Sequence, residues 1–136
     1  MYVVIVGCGR VGARLATSLS AAGHSVVVVD SAAANLRALP PEFSGFTVKG
    51  DAGDADVLRQ TKLDRADALV AVTRDDNLNL LVAQTARALY RTPIVLARCY
   101  DPEREDVYRT LGVETVSPTS LTVMAFLDLL EPPRKR

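Results

Sequence analysis

The sequence predicts an α/β fold built on a doubly wound, six-stranded parallel sheet in the order 3-2-1-4-5-6. Three observations carry this. Short apolar runs rich in Val and Ile alternate with amphipathic segments along the whole 136 residues, the pattern of a parallel sheet covered on both faces. The run Val3–Val6 passes directly into Gly7-Cys8-Gly9-Arg10-Val11-Gly12, a G-x-G-x-x-G turn between a strand and a helix. A second run, Val26–Val29, ends in Asp30, eighteen residues beyond Gly12, near the spacing at which such sheets place an acid beside the glycine turn.

Each element follows in order. Strands are expected at Tyr2–Val6, Ser25–Val29, Phe46–Lys49, Ala68–Val72, Ile94–Arg98 and Glu114–Val116. Helices are expected at Arg10–Ala22, Ala32–Leu39, Ala55–Thr61, Asp76–Tyr90, Pro102–Leu111 and Thr119–Leu130. Gly23 supplies a helix stop after Ala22. Asp101-Pro102 sets a capping acid before a proline in a first helical turn. Gly112 closes that helix, and Pro118 breaks the chain before the next. On the fourth helix Leu78, Leu81, Val82, Thr85 and Leu89 are expected to form the core stripe, with Ala88 beside it. One domain is expected over residues 1–131, and residues 132–136 read as a disordered tail.

Composition bounds the function. The chain is 49% hydrophobic and 24% charged with zero formal net charge, an ordinary globular composition. It gives no electrostatic reason to expect nucleic acid or an anionic membrane surface as partner. No apolar run is long enough to span a bilayer, so no direct membrane insertion is expected. The N-terminus lacks the basic region of a signal peptide, which points to the cytoplasm. Two cysteines make no disulfide framework. Cys8 and Cys99 end up on strands about 10 Å apart, too far for a bridge.

The glycine turn and Asp30 together make a dinucleotide-binding arrangement, so the sheet is Rossmann-like. Gly7 permits the tight turn, Gly9 lets backbone approach a pyrophosphate, and Gly12 lets the helix pack closely on the strand. The helix start faces the phosphates. Asp30 accepts hydrogen bonds from ribose hydroxyls and disfavours a 2′-phosphate, so NADP is not expected. Ligands sit at the carboxyl ends of the strands, which brings Ser31, Asp51, Ala52, Thr73, Arg74, Asn77 and Arg98 to the same edge. Arg10 is placed to reach a phosphate, Asp51 and Ala52 to lie beside the adenine, and Thr73 to offer its hydroxyl to phosphate or ribose. Arg98 is placed either to neutralise a phosphate or to pair with Asp75. One of Asn77 and Asn79 supports the loop and the other faces the ligand. Cys8, at a helix start that lowers a thiol pKa, is read chiefly as a small buried loop filler. His24 lies on the opposite edge, in a turn.

Five segments carry a resemblance: Gly7–Gly12, Val29-Asp30, Gly50-Asp51-Ala52, the V-T-x-D-D-x-x-N run at Val72–Asn79, and Ala97-Arg98. Together they resemble the nucleotide-binding domain of the Trk/Ktr potassium-uptake regulators, also called KTN, RCK-N or TrkA-N, over essentially the whole chain. The resemblance implies a nucleotide-sensing regulatory subunit that acts on a membrane potassium transporter or channel subunit, and so a place at the inner face of the membrane. It also implies that the helix at 119–130 crosses to a neighbouring subunit, giving a homodimer able to assemble into a higher ring. The apolar character of Leu121–Leu130, where only Thr122 and Asp128 are polar, demands burial of more than one face. ATP-binding members commonly carry a glutamate after the proline that follows strand six. Here Pro118 is followed by Thr119 and Ser120, which favours NAD or NADH, or AMP or ADP, over ATP with a divalent ion. No Tyr-x-x-x-Lys dyad follows Tyr90, Tyr100 or Tyr108, and no proton donor for hydride transfer is apparent, so a non-enzymatic role is expected. The alternatives are an NAD-dependent oxidoreductase fragment and a nucleotide or redox sensor without a channel partner.

Overall fold

The computed structural model of the chain describes residues 1–131. Its elements alternate as β1 (Tyr2–Val6), α1 (Arg10–Ala21), β2 (Ser25–Asp30), α2 (Ala33–Arg37), β3 (Phe46–Lys49), α3 (Ala55–Gln60), β4 (Ala68–Ala71), α4 (Asp76–Ala88), β5 (Ile94–Arg98), α5 (Glu105–Thr110), β6 (Glu114–Val116) and α6 (Pro118–Leu130). All pairings are parallel, and the strand order is β3-β2-β1-β4-β5-β6. The expected disordered tail lies outside the described residues.

The alternation of side chains along a strand divides the core in two. Val4 and Val6 of β1 pack with α3, α4 and α5 residues such as Leu58, Val82 and Tyr108. Val3 and Ile5 pack on the other face with Ala16 of α1 and the partly buried Leu36 of α2. Val26–Val29 of β2 are all buried, as a strand covered on both faces requires.

Helix starts follow the chemistry of their caps. Asp54 accepts from the Asp56 N–H at α3, Asp75 from the Asn77 and Leu78 N–H groups at α4, and Ser117 from the Ser120 N–H at α6. Gly23 (φ 91°) and Gly112 (φ 77°) adopt the left-handed conformation after α1 and α5.

Two expectations need correction, and one element was not expected. The stripe on α4 is rotated: the buried residues are Asn79, Val82, Ala83 and Ala86, while Leu81 is 50% and Leu89 77% exposed. Small residues face the sheet because they let the helix approach closely, Leu78 and Leu80 pack partly buried at the edge of the core, and Leu81 and Leu89 lie outside. The expected helix Pro102–Leu111 is a 3-10 turn over Pro102–Arg104 followed by a shorter α5. A further 3-10 turn at Leu63–Arg65 carries Leu63 into the core.

Candidate functional site

At the carboxyl edge of the sheet lies a cleft of about 720 Å³, within the range of ligand sites. Gly7, Gly9, Arg10, Val11, Asp30, Ser31, Asp51, Ala52, Thr73, Arg74 and Arg98 all line it, joined by Asn35, Leu78 and Tyr100 among others. Cys8, Gly12 and Asn77, also expected at the site, do not.

The three glycines have separate reasons to be glycine. Gly7 has φ 108°, where L side chains are strained, and its N–H donates to the Val29 carbonyl at 2.8 Å. A Cβ on Gly12 would stand 1.8 Å from the Gly7 carbonyl oxygen, so Gly12 allows α1 to pack under the turn. A Cβ on Gly9 would meet nothing within 4 Å. Among the described residues no contact requires glycine there, and a methyl group at that position would take up open space at the mouth of α1. Among the helices longer than ten residues, α1 alone starts without a side-chain cap. Its first N–H groups are left for an acceptor in the cleft.

Asp30 is held rigidly. One carboxylate oxygen accepts the Cys8 N–H at 2.8 Å, the other accepts the Ala32 N–H at 2.8 Å, and the Asn35 carboxamide donates to both at 3.2 and 3.3 Å. A carboxylate offers about four acceptor directions, and these four contacts occupy them, so a ligand hydroxyl would take the place of the longer Asn35 contacts that share one amide nitrogen. Asn35 was invisible to sequence reasoning because no motif reaches into α2. It is a short polar side chain one turn beyond the acid, which is the only signal that marks it.

Asp51 accepts the Gly53 N–H at 2.8 Å, closing a local turn while its carboxylate stays exposed on the cleft. Ala52 is buried in the cleft wall. The cations come from the other side: Arg10 from α1, Arg74 from the β4–α4 loop and Arg98 from β5. Asp30 and Asp51 stand at β2 and β3. The cleft thus has an acidic end suited to sugar hydroxyls and a basic end suited to phosphate.

The two asparagines are distinguished by burial. Asn79 is fully buried. Its Oδ1 accepts from the Thr73 N–H at 2.9 Å and the Thr73 hydroxyl at 2.6 Å, and its amide donates to the Thr73 and Arg98 carbonyls at 3.0 Å each. It therefore ties the end of β4 to the end of β5. Asn77, expected as one of the pair at the ligand, does not line the cleft, and its Oδ1 accepts from the Arg104 guanidinium at 2.7 Å. The Thr73 hydroxyl, expected at a ligand, is engaged with Asn79 and the 75 backbone.

Arg98 forms no ion pair with Asp75, whose carboxylate is committed to the α4 cap. Its Nη2 donates instead to the Val72 and Thr73 carbonyls at 2.6 and 3.0 Å. The guanidinium lies 4.8 Å from the Tyr100 ring centroid, within cation–π range. Among the described residues its buried Nε has no hydrogen-bond partner, an unmet donor beside the basic end of the cleft. Tyr100 follows β5, which puts it at this edge of the sheet in the sequence as well, but without a role; the folded chain adds its contact with the Arg98 guanidinium.

Cys8 behaves as a filler. Its Sγ contacts the Asn35 carbonyl at 3.4 Å, and burial, followed by the Asp30 carboxylate, pushes its thiol pKa up. The helix start does not win over these two effects. Cys99 is likewise pushed up by burial first and by Asp76 second. Both cysteines are free. His24 sits on the opposite edge, its Nδ1 2.9 Å from the chain's N-terminal nitrogen.

Comparison with known proteins agrees with this fold. The TrkA-N domain model matches residues 3–118. The Trk system potassium uptake protein TrkA of Streptomyces coelicolor is 41% identical over 132 residues, 97% of this chain and 59% of that protein. The chain spans about three-fifths of the length of that curated relative. Among solved structures, the TrkA-N domain of the inner membrane protein ybaL from Escherichia coli superposes with a TM-score of 0.86 at 23% identity, covering 96% of each chain; at that identity it shows the fold alone. The GsuK channel bound to NAD superposes at 0.75 and 26% identity over 93% of this chain and 23% of that one, and a GsuK structure bound to ADP at 0.73 and 26% over 88% and 32%. With a family model covering most of its length, a curated relative at this identity and the same six-stranded sheet, the chain belongs to the TrkA-N domain family.

Proposed function

We propose that this protein is a cytoplasmic, nucleotide-sensing regulatory subunit of a potassium transport system, which binds NAD(H) or another adenine nucleotide and signals through the packing of its subunits. The observation that carries the reading is the cleft between the uncapped start of α1 and the carboxylate of Asp30, with Gly9 open onto it. Phosphates would accept from the first N–H groups of α1 and from Arg10, and the ribose diol would donate to Asp30. An acid at that position repels a 2′-phosphate, so NAD(H), AMP and ADP are favoured over NADP. With Thr119 after Pro118, no carboxylate follows that proline to support a divalent ion on ATP.

The chain's similarity to a Trk potassium uptake protein supports a membrane transporter or channel subunit as its partner. The described residues contain no helix long and apolar enough to cross a membrane, which is consistent with attachment through that partner. α6 supports a homodimer able to build a larger ring: Leu121, Val123, Met124, Phe126, Leu127, Leu129 and Leu130 are each at least half exposed in the single chain, an unpartnered surface that association would bury.

Native mass spectrometry of the purified protein tests the reading, because it reports bound nucleotide and subunit count together. A bound adenine nucleotide on a dimer or larger assembly is expected. Calorimetric titration should then show NADH, AMP or ADP binding and NADPH binding far more weakly. A monomer that takes none of them would overturn the proposal. Oxidation of NADH with a range of carbonyl compounds would turn the assignment toward an enzyme; binding without turnover is expected.

A further inference from the structure

Tyr100 belongs at once to the cleft and to the seat of α6. Its ring lines the cleft beneath the Arg98 guanidinium. Its carbonyl accepts the Thr119 hydroxyl at 3.0 Å, at the second residue of α6. Among the described residues this is the one hydrogen bond from α6 to any segment other than its own cap and turns. On its other side, the Tyr100 N–H donates to Asp76 Oδ1 at 2.9 Å and the Asp101 N–H to Asp76 Oδ2 at 3.3 Å. The loop is therefore pinned to the start of α4 on one side and free to carry α6 on the other.

The order of the strands sets which ligands can reach it. From Asp30 on β2 to Arg98 on β5 the sheet runs β2-β1-β4-β5, three strand spacings or about 14 Å. A mononucleotide with its ribose on Asp30 and its phosphate at the start of α1 ends near β1. A longer ligand, with a second nucleoside or further phosphates, continues across β4 to Arg98 and Tyr100. There it reaches the Arg98 guanidinium and competes with the Tyr100 ring for it.

Resting on the reading of the cleft as a nucleotide site, we propose that Tyr100 is a positioning residue that couples the cleft to α6, and that only ligands extending beyond the first phosphate as far as β5 engage it. Such a ligand favours a different placement of Tyr100, and the Thr119 hydroxyl transmits that preference to the first turn of α6. The ligand has differential affinity for the two placements, as any coupling requires.

Hydrogen-exchange mass spectrometry of the 136-residue protein, at one protein concentration with saturating NADH or AMP, tests this. Both nucleotides should slow exchange in the glycine turn. NADH alone should change exchange across Pro118–Leu130, by about fivefold or more, the lower end of measured couplings. In Thr119→Val the glycine turn should still be protected by NADH while α6 no longer responds. Thr119→Ser, which keeps the hydroxyl, should restore the response. An α6 response in Thr119→Val equal to the wild type, an α6 response to AMP equal to that for NADH, or a protected glycine turn with a silent α6 in the wild type would each overturn the coupling and leave nucleotide binding standing. A glycine turn that neither nucleotide protects would overturn the nucleotide reading itself, and the coupling with it.

Discussion

The carboxylate of Asp30, at the end of β2, accepts the backbone N–H of Cys8 in the glycine turn at 2.8 Å. The acid expected to hold ribose thus also holds the loop expected to hold phosphate, and the two halves of the cleft form one unit. Asp30→Asn keeps the size but turns one acceptor into a donor, so either the Cys8 or the Ala32 N–H loses its partner. Hydrogen bonds to a charged acceptor are worth about 1.5–3 kcal/mol. Calorimetry should show nucleotide affinity falling on the order of tenfold to a hundredfold, together with a lower midpoint of thermal unfolding. Unchanged affinity would remove Asp30 from the site.

Gly9 and Gly12 should respond in opposite ways to the same methyl group. Gly12→Ala places a Cβ 1.8 Å from the Gly7 carbonyl oxygen, and displacing backbone in a packed region costs about 1–3 kcal/mol or more. Urea denaturation should register that loss. Gly9→Ala meets nothing within 4 Å among the described residues, so its stability should change by less than about 1 kcal/mol, the size of an N-cap effect. Its nucleotide affinity should nevertheless drop, because the methyl group takes the space through which a phosphate approaches the helix. Equal affinities for Gly9→Ala and the wild type would mean that the ligand does not lie against this turn.

How much of this was legible in the sequence depends on the range of the forces involved. Strands such as Val26–Val29 are continuous apolar runs because both faces are covered, and that signal is local. The glycine turn and Asp30 carry their chemistry in fixed spacing, so they too were visible. The orientation of α4 was not: a hydrophobic stripe counts leucines, whereas the sheet selected Ala83 and Ala86 and left Leu89 outside. Asn77 and Asn79 are two residues apart on one helix, so they face different directions, and only the fold shows which is buried. Tyr100 has its place at the edge from β5 but no role from any motif, and Asn35 reaches the cleft through contacts to other segments, with no periodicity or motif of its own.

Asn79 offers a test of that buried network. Its carboxamide makes four hydrogen bonds to Thr73 and Arg98. Asn79→Asp is nearly isosteric but cannot donate to the Thr73 and Arg98 carbonyls, and it buries a charge. Leaving buried polar groups unmatched costs about 1–3 kcal/mol each, so a destabilisation of several kcal/mol is expected in urea, with Arg98 released from its position. A variant as stable as the wild type would show that the β4 and β5 ends do not depend on this residue.

Alkaline pH should weaken the α4–α5 side of the core. The Tyr108 hydroxyl donates to the Asp76 carbonyl at 2.6 Å. Burial chiefly, then Cys99 and Asp76, push its pKa up to about 12 from 10.0. The unfolded chain therefore loses this proton first as pH rises, so the folded state binds more protons between the two values. Stability is complete below pH 10 and falls as pH climbs toward 12, by about 2–3 kcal/mol for this group. Cys8 and Cys99, also raised, start the decline near their ordinary value of 9.0, and Tyr2 adds in the same direction. Tyr108→Phe should lose about 1 kcal/mol at neutral pH with the hydrogen bond and flatten the decline between pH 10 and 12. An identical alkaline slope in both proteins would show that Tyr108 titrates normally.

The apolar surface of α6 makes the last prediction separable from folding. Phe126 and Leu127 are 62% and 51% exposed in the single chain, so changing them removes no core contact and should leave the circular dichroism spectrum intact. If two copies meet along α6, each buried aromatic or leucine side chain contributes about 1.5–3 kcal/mol, and twofold symmetry counts every substitution twice. Phe126→Glu would then place two carboxylates in an apolar interface, where burying an unpaired charge adds a further penalty. Sedimentation velocity should show the wild type associating at micromolar concentration and Phe126→Glu as a folded monomer, its association weakened at least about a hundredfold. Leu89→Glu, at a residue 77% exposed on the far end of α4, serves as the control and should sediment like the wild type. A wild type that remains monomeric at high concentration, or a Phe126→Glu variant that associates equally well, would show that α6 seats against something other than a second copy of this chain.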